Sequence, residues 1–331
     1  MCTYKSPQDS GRKEKRLHIM SETVIETTGL TKVYGSHISV DHINLHVRRG
    51  TIYGLLGRNG AGKTTTMKML LGLIKPTDGQ ACVLGKDIQK ERKKILPHIG
   101  ASIETPGFYA NLTGKENLQI FSEYAGRKDN VEIESVLEQV GLPYRDKKIF
   151  SQYSLGMKQR LAIAYAIMHD PDILILDEPT NGLDPIGISE MRAFIKRLCD
   201  EQGKTILISS HILQEIEMLA DDIGIIDQGK LIEESSKEEL SVKREKYIKI
   251  KVTDTDGIVK ILRNQYQSPR YKLSAKGELL IYDSKINIEE FIRDLVMAGI
   301  GVREAGFKEE NLESYFIRVT GGVDIGQDFH E

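Results

Sequence analysis

The stretch from Thr51 to Ile74 constrains this chain more than any other. Thr51-Ile-Tyr-Gly-Leu-Leu56 is an apolar run that stops at Gly57, the pattern of a buried strand ended by a turn. Gly57, Arg58, Asn59, Gly60, Ala61, Gly62, Lys63 and Thr64 then match G-x-x-x-x-G-K-[ST]. From Thr64 onward Met67, Leu70, Leu71 and Ile74 recur at the three-and-four spacing of a helix packed on one face. Strand, glycine turn and helix form one unit. Its glycines let the amides from Asn59 through Gly62 turn inward, and the helix aims its positive end at the same anion. The ligand this predicts is a nucleotide polyphosphate. Lys63 is expected to bridge β- and γ-phosphate oxygens, Thr64 to give its hydroxyl to Mg²⁺, and Thr65 to reach the α-phosphate. A glycine turn that binds nothing is the poorer reading, because a lysine enclosed in such a turn needs an anion.

Two further strands carry polar ends. Ile173-Leu-Ile-Leu176 runs into Asp177 and Glu178. Adjacent carboxylates repel unless a cation lies between them, so Asp177 is expected at Mg²⁺, and Glu178 is expected to polarise an attacking water. Taken alone, the pair could also be surface acids after a core strand. Thr205-Ile-Leu-Ile208 runs through Ser209 and Ser210 to His211, a residue that reads as structural in isolation and as catalytic if its strand lies beside that of Asp177. Continuous apolar runs with polar ends point to a mainly parallel sheet whose site lies along its carboxyl edge. Ser154 and Gly156, in Ser154-Leu-Gly-Met-Lys-Gln-Arg160, open a helix over Lys158–Met168. That start is either an ordinary N-cap or a second anion site, one suited to a phosphate held by another molecule.

At 331 residues the chain has length for about two domains. Its 46 Lys+Arg against 48 Asp+Glu exclude the global basic excess of a nucleic-acid binder. The longest uncharged apolar runs fall well short of a membrane span. Three scattered cysteines suit a reducing compartment and argue against disulfides and a zinc site. Residues 1–21 are expected to be a disordered tail; the basic residues there precede no apolar segment, so they do not form a secretory signal. Charged residues from Lys237 to Lys246 suggest a boundary near 235. Beyond it the order Tyr247–Val252, Ile258–Gln265, Glu278–Tyr282, Ile288–Met297, Ile300–Arg303 and Asn311–Val319, alternating strand and helix before a last helix, fits a small α+β domain of ferredoxin-like order over 236–320, with a flexible tail over 321–331.

Taken in order, Gly57–Thr65, Ser154–Arg160, Leu176-Asp-Glu-Pro-Thr-Asn-Gly-Leu-Asp-Pro185 and His211 resemble the nucleotide-binding subunit of an ABC transporter over about residues 22–235. The resemblance implies a P-loop NTPase α/β domain with a helical subdomain, ATP and Mg²⁺ as ligands, and ATP hydrolysis with Glu178 and His211 as catalytic residues. It also implies a head-to-tail dimer in which Ser154 and Gly156 close over the ATP held by Lys63 of the second copy, with Asn181–Asp184 touching that copy. The partner would be a multi-spanning permease, with no nucleic acid bound, placing the chain at the cytoplasmic face of the membrane. Tyr34 matches the residue that stacks on adenine; a core tyrosine is its other reading. The family signature L-S-G-G-Q is replaced by Tyr153-Ser-Leu-Gly-Met157. The loop that normally carries glutamine presents Glu104, which cannot donate as an amide does but could reach Mg²⁺ or the attacking water. These departures, with the extra C-terminal domain, look like the bacitracin-export and lantibiotic-immunity branch. Phe108, Tyr109 and Leu112 are then expected either against the permease or packed inside the helical subdomain. The competing class is a soluble ABC ATPase acting as a clamp on ribosome or DNA. Only one phosphate loop is present and residues 65–150 hold no long heptad insertion, which favours transport.

Overall fold

A computed structural model describes residues 22–103, 107–126, 132–145, 147–266, 270–273, 278–282, 286–321 and 329–330. The chain divides into two compact units between Lys237 and Glu238.

The first unit is built on a six-stranded sheet in the order Lys230–Ser236, Asp222–Asp227, Ile52–Leu56, Thr205–Ser210, Ile173–Asp177 and Ile99–Ser102. The pairs are parallel except at the Lys230–Ser236 edge. Every residue of Ile52–Leu56 and Thr205–Ser210 is buried, as strands covered on both faces require. Parallel strands end on the same side, so Leu56, Asp177 and Ser210 arrive together: Leu56 lies opposite Ser210, and Asp177 opposite Ser209. The strand leading to His211 therefore sits directly between the phosphate-loop strand and the Asp177 strand. An antiparallel sheet of Thr23–Tyr34, His37–Ile43, His46–Arg48, Asp78–Val83 and Lys86–Asp87 packs its Val24, Ile25, Leu30 and Val83 into the same core as Met67 and Leu70.

Helices Gly114–Tyr124, Ile133–Gln139 and Leu155–Ile167 form the helical subdomain. The first opens with a capping box between Thr113 and Glu116. Phe108 is buried against Phe121, Phe150 and Tyr165, ring centroids 5.2 to 6.4 Å away, so it belongs to the subdomain core and not to an outer contact. Tyr109 is exposed and Leu112 half-buried. Cys199 is a buried free thiol.

The second unit is antiparallel. Its strands Val302–Glu309, Lys246–Val252, Glu278–Ile281 and Tyr271–Leu273 stand in that spatial order, fourth, first, third, second by chain position, which is the split βαβ arrangement. Ile248, Ile250, Leu279 and Ile281 face helices Thr255–Gln265 and Ile288–Met297 through Ile258, Leu262, Phe291 and Leu295. Three features depart from expectation. Tyr271–Leu273 is an unforeseen strand. The last strand runs over Val302–Glu309 and not Ile300–Arg303, because four charged residues mask its alternation. Phe329–His330, from the segment expected to be a flexible tail, pairs beside Tyr271 and Lys272, filling what would be an open edge.

Candidate nucleotide site

Gly62 takes φ 108° at the N-cap of helix Lys63–Leu70, and Gly60 takes φ 80°. A Cβ at Gly62 would stand 2.6 Å from the Ser39 carbonyl, and one at Gly57 would stand 2.4 Å from that of Ile226. Gly62 thus needs glycine for conformation and for space, Gly60 for conformation and Gly57 for space. Asn59 and Gly60 are exposed at the tip of the loop, and Ala61 is buried beneath it.

Lys63 is only 6% exposed. Its Nζ donates to the Gly57 carbonyl at 2.6 Å and the Arg58 carbonyl at 3.2 Å, and lies 3.3 Å from Glu178 Oε1. Thus the cation is compensated inside the loop by the groups that bound the site. Thr64 Oγ1 donates to Asp177 Oδ2 at 2.7 Å, joining positions 113 residues apart. Thr65 accepts from Ser39 at 3.0 Å.

Ser209, to which sequence reasoning gave no role, ties the edge together. Its hydroxyl donates to Asp177 Oδ1 and accepts from the Glu178 amide at 3.0 Å. The signal was a hydroxyl at the end of the apolar run Ile206–Ile208, since a buried polar group requires partners. Glu178 adopts φ 49°, a left-handed conformation rare for such a residue, and its Oε2 meets His211 Nδ1 at 2.8 Å. Thr180, also unforeseen, is buried and donates to Glu215, four residues beyond His211. The segment from Asp177 to Thr180 is therefore gripped by the strand of Ser209 and by the helix that follows His211.

Ser154 caps helix Leu155–Ile167 by accepting from the Met157 amide at 3.3 Å. Gly156 lies under Leu183, and Gln159 donates to the Asn181 carbonyl at 2.5 Å, so the helix start and the Asn181–Asp184 loop are packed together within the chain. A cleft of about 520 Å³ separates Leu155, Lys158 and Gln159 from Thr64, Asp177 and Glu178. Tyr34 is 48% exposed, with Lys32 Nζ 4.9 Å from its ring centre, which removes its reading as a core tyrosine. Glu104 lies outside the described residues. Among the described residues no three His, Cys, Asp or Glu side chains cluster as a metal centre. The hard oxygens of Thr64 and Asp177 nevertheless suit Mg²⁺, which keeps several waters and takes one or two protein ligands beside phosphate.

A glycine loop, a Thr–Asp pair and a Glu–His pair on the carboxyl edge of a parallel sheet, with a helical subdomain alongside, define a P-loop nucleotide-binding cassette. The ABC transporter family model matches residues 40–181. The chain is 49% identical over 304 residues to the bacitracin transport ATP-binding protein BcrA of Bacillus licheniformis, covering 92% of this chain and 99% of that one. It is 44% identical over 209 residues to the lantibiotic transport ATP-binding protein SrtF of Streptococcus pyogenes, covering 63% of this chain and 89% of that one. The ATP-binding cassette MJ0796, in a dimeric post-hydrolysis state bound to ADP and Pi, superposes with a TM-score of 0.59 at 25% identity over 64% of this chain and 98% of that one. The chain belongs to the ABC transporter ATP-binding proteins. Among the described residues no helix is long and apolar enough to cross a membrane.

Proposed function

We propose that this chain hydrolyses ATP with Mg²⁺ to drive export of a peptide antibiotic, lantibiotic or related drug through a separate permease at the cytoplasmic face of the membrane. What chiefly supports this is the meeting of Lys63, the Thr64–Asp177 pair and the Glu178–His211 pair at one sheet edge, in a chain similar along nearly its whole length to a bacitracin transport protein. Lys63 and the amides of the Gly57–Gly62 loop hold the β- and γ-phosphates, Thr65 holds the α-phosphate, and Tyr34 stacks on adenine. Thr64, Asp177 and Glu104 hold Mg²⁺, which supplies Lewis-acid stabilisation of the phosphates. Glu178 takes the proton of the attacking water, and His211 fixes the direction of that carboxylate through Nδ1. Ser154 and Gly156 of a second copy close over the nucleotide, so ATP favours the closed pair, and hydrolysis releases it.

Affinity purification of Glu178→Gln with ATP from its native membrane tests this reading. A multi-spanning membrane protein should co-purify. Recovery of ribosomes or DNA-bound proteins without a permease would replace transport by a soluble clamp.

A further inference from the structure

The second unit ends on one side in strand Val302–Glu309, and among the described residues no strand pairs with its outer flank. Arg303, Glu304, Phe307, Lys308 and Glu309 are all exposed, and Phe307 is 66% exposed beside its cross-strand neighbour Ile248. A Cβ placed on Gly306 would meet nothing within 4 Å. Such an edge is a template for another strand.

Read from the other end, the strand carries the opposite sign of charge at each charged position. The strand is regular from Glu304 to Glu309, with a bulge at Arg303; folded antiparallel against itself about Gly306, that stretch sets Glu304 opposite Lys308 and Phe307 opposite Ala305, each twice by symmetry. Opposite charges and an aromatic ring over a small residue at directly facing positions stabilise such a pair. Sliding the register by one residue breaks the Glu304–Lys308 pairs in either direction, and in one of them brings Glu304 opposite Glu309, which repel. One register is therefore selected, unlike an edge whose charges merely deter pairing. We infer that this edge joins a second copy of the chain, forming a two-fold, continuous antiparallel sheet through Val302–Glu309 that needs no nucleotide. A two-fold contact of this kind is self-complementary and closed, so it stops at the dimer.

The test uses the full chain without nucleotide, in a Lys63→Ala background that removes ATP-dependent association. Facing Cα atoms in an antiparallel pair lie about 4.5–5.5 Å apart, within disulfide reach. Gly306→Cys should therefore cross-link to its own copy under mild oxidation. Lys308→Cys should not, since its two copies lie about 14 Å apart along the strands. Native Cys199 is buried, with its thiol pushed up to about 12 by that burial, and the unsubstituted protein serves as the control. In sedimentation, Glu304→Lys and Lys308→Glu should each weaken self-association about 10-fold by setting like charges face to face. The double exchange should restore it, which unfolding of the unit would not allow. Cross-linking at both cysteines or at neither, or charge reversals without effect or without rescue, would overturn the inference.

Discussion

The two units put β-structure to opposite uses. In the first, parallel strands are apolar along their length and covered on both faces, and because they all run the same way their polar ends gather on one edge. Residues as distant as Thr64, Asp177 and His211 become neighbours there without any of them leaving the end of its own element. In the second, antiparallel strands alternate in direction and in face: Ile248, Ile250 and Val252 are buried while Tyr247, Lys249 and Lys251 between them are half-buried. Among the described residues no end of this sheet gathers several strands' polar ends as the first does, and what the arrangement leaves available is a flank. The contrast teaches that strand direction decides whether a sheet concentrates reactive groups or presents an edge.

The largest effects are expected at the carboxyl edge of the first unit. Glu178→Gln should lower ATP turnover by about 10²–10⁴-fold while ATP binding persists, and with ATP it should elute as a dimer in size-exclusion chromatography. A variant that stays monomeric would remove the sandwich. Lys63→Ala should weaken ATP binding by on the order of 10–100-fold, measured by calorimetry, since a charge-assisted contact to phosphate is lost. Unchanged affinity would deny Lys63 its phosphate role. Thr180→Val deprives buried Glu215 of a donor and should cost about 1–3 kcal/mol of stability in chemical denaturation, with slower turnover as the Glu178 loop loosens. An unaffected rate would show that Ser209 and His211 hold the loop unaided. The smallest effect belongs to the second unit. Asn311 caps helix Leu312–Val319 by accepting from the Ser314 amide at 2.7 Å, and Asn311→Ala should cost about 1 kcal/mol with turnover unchanged. A change in turnover would mean that the units are coupled energetically, and the contrast between them would need revision.

Much of the first unit is legible one element at a time. The strand, loop and helix around Lys63 and the helix start at Ser154 rest on patterns a few residues long, set by backbone conformation and by periodicity. The Val302–Glu309 strand was harder to read, since charged side chains on both faces of an exposed edge erase the alternation that marks a half-buried strand. Phe108 illustrates a different loss: an aromatic residue in a loop carries no signal for whether it points inward, and only the rings of Phe121, Phe150 and Tyr165 around it decide.

By itself the sequence determined that a lysine would be enclosed in a glycine turn between a buried strand and a helix, that two carboxylates and a histidine would close two other strands, and that a charged stretch would precede a second unit. These are local facts, each encoded within one element. Only the tertiary structure decided that the His211 strand lies between the other two, that Ser209 thereby bridges Asp177 and the Glu178 backbone, that Glu215 reaches back to Thr180, and that Val302–Glu309 stands at an edge. Strand order and edge position are set by how whole faces pack, and no short stretch of sequence contains that sum.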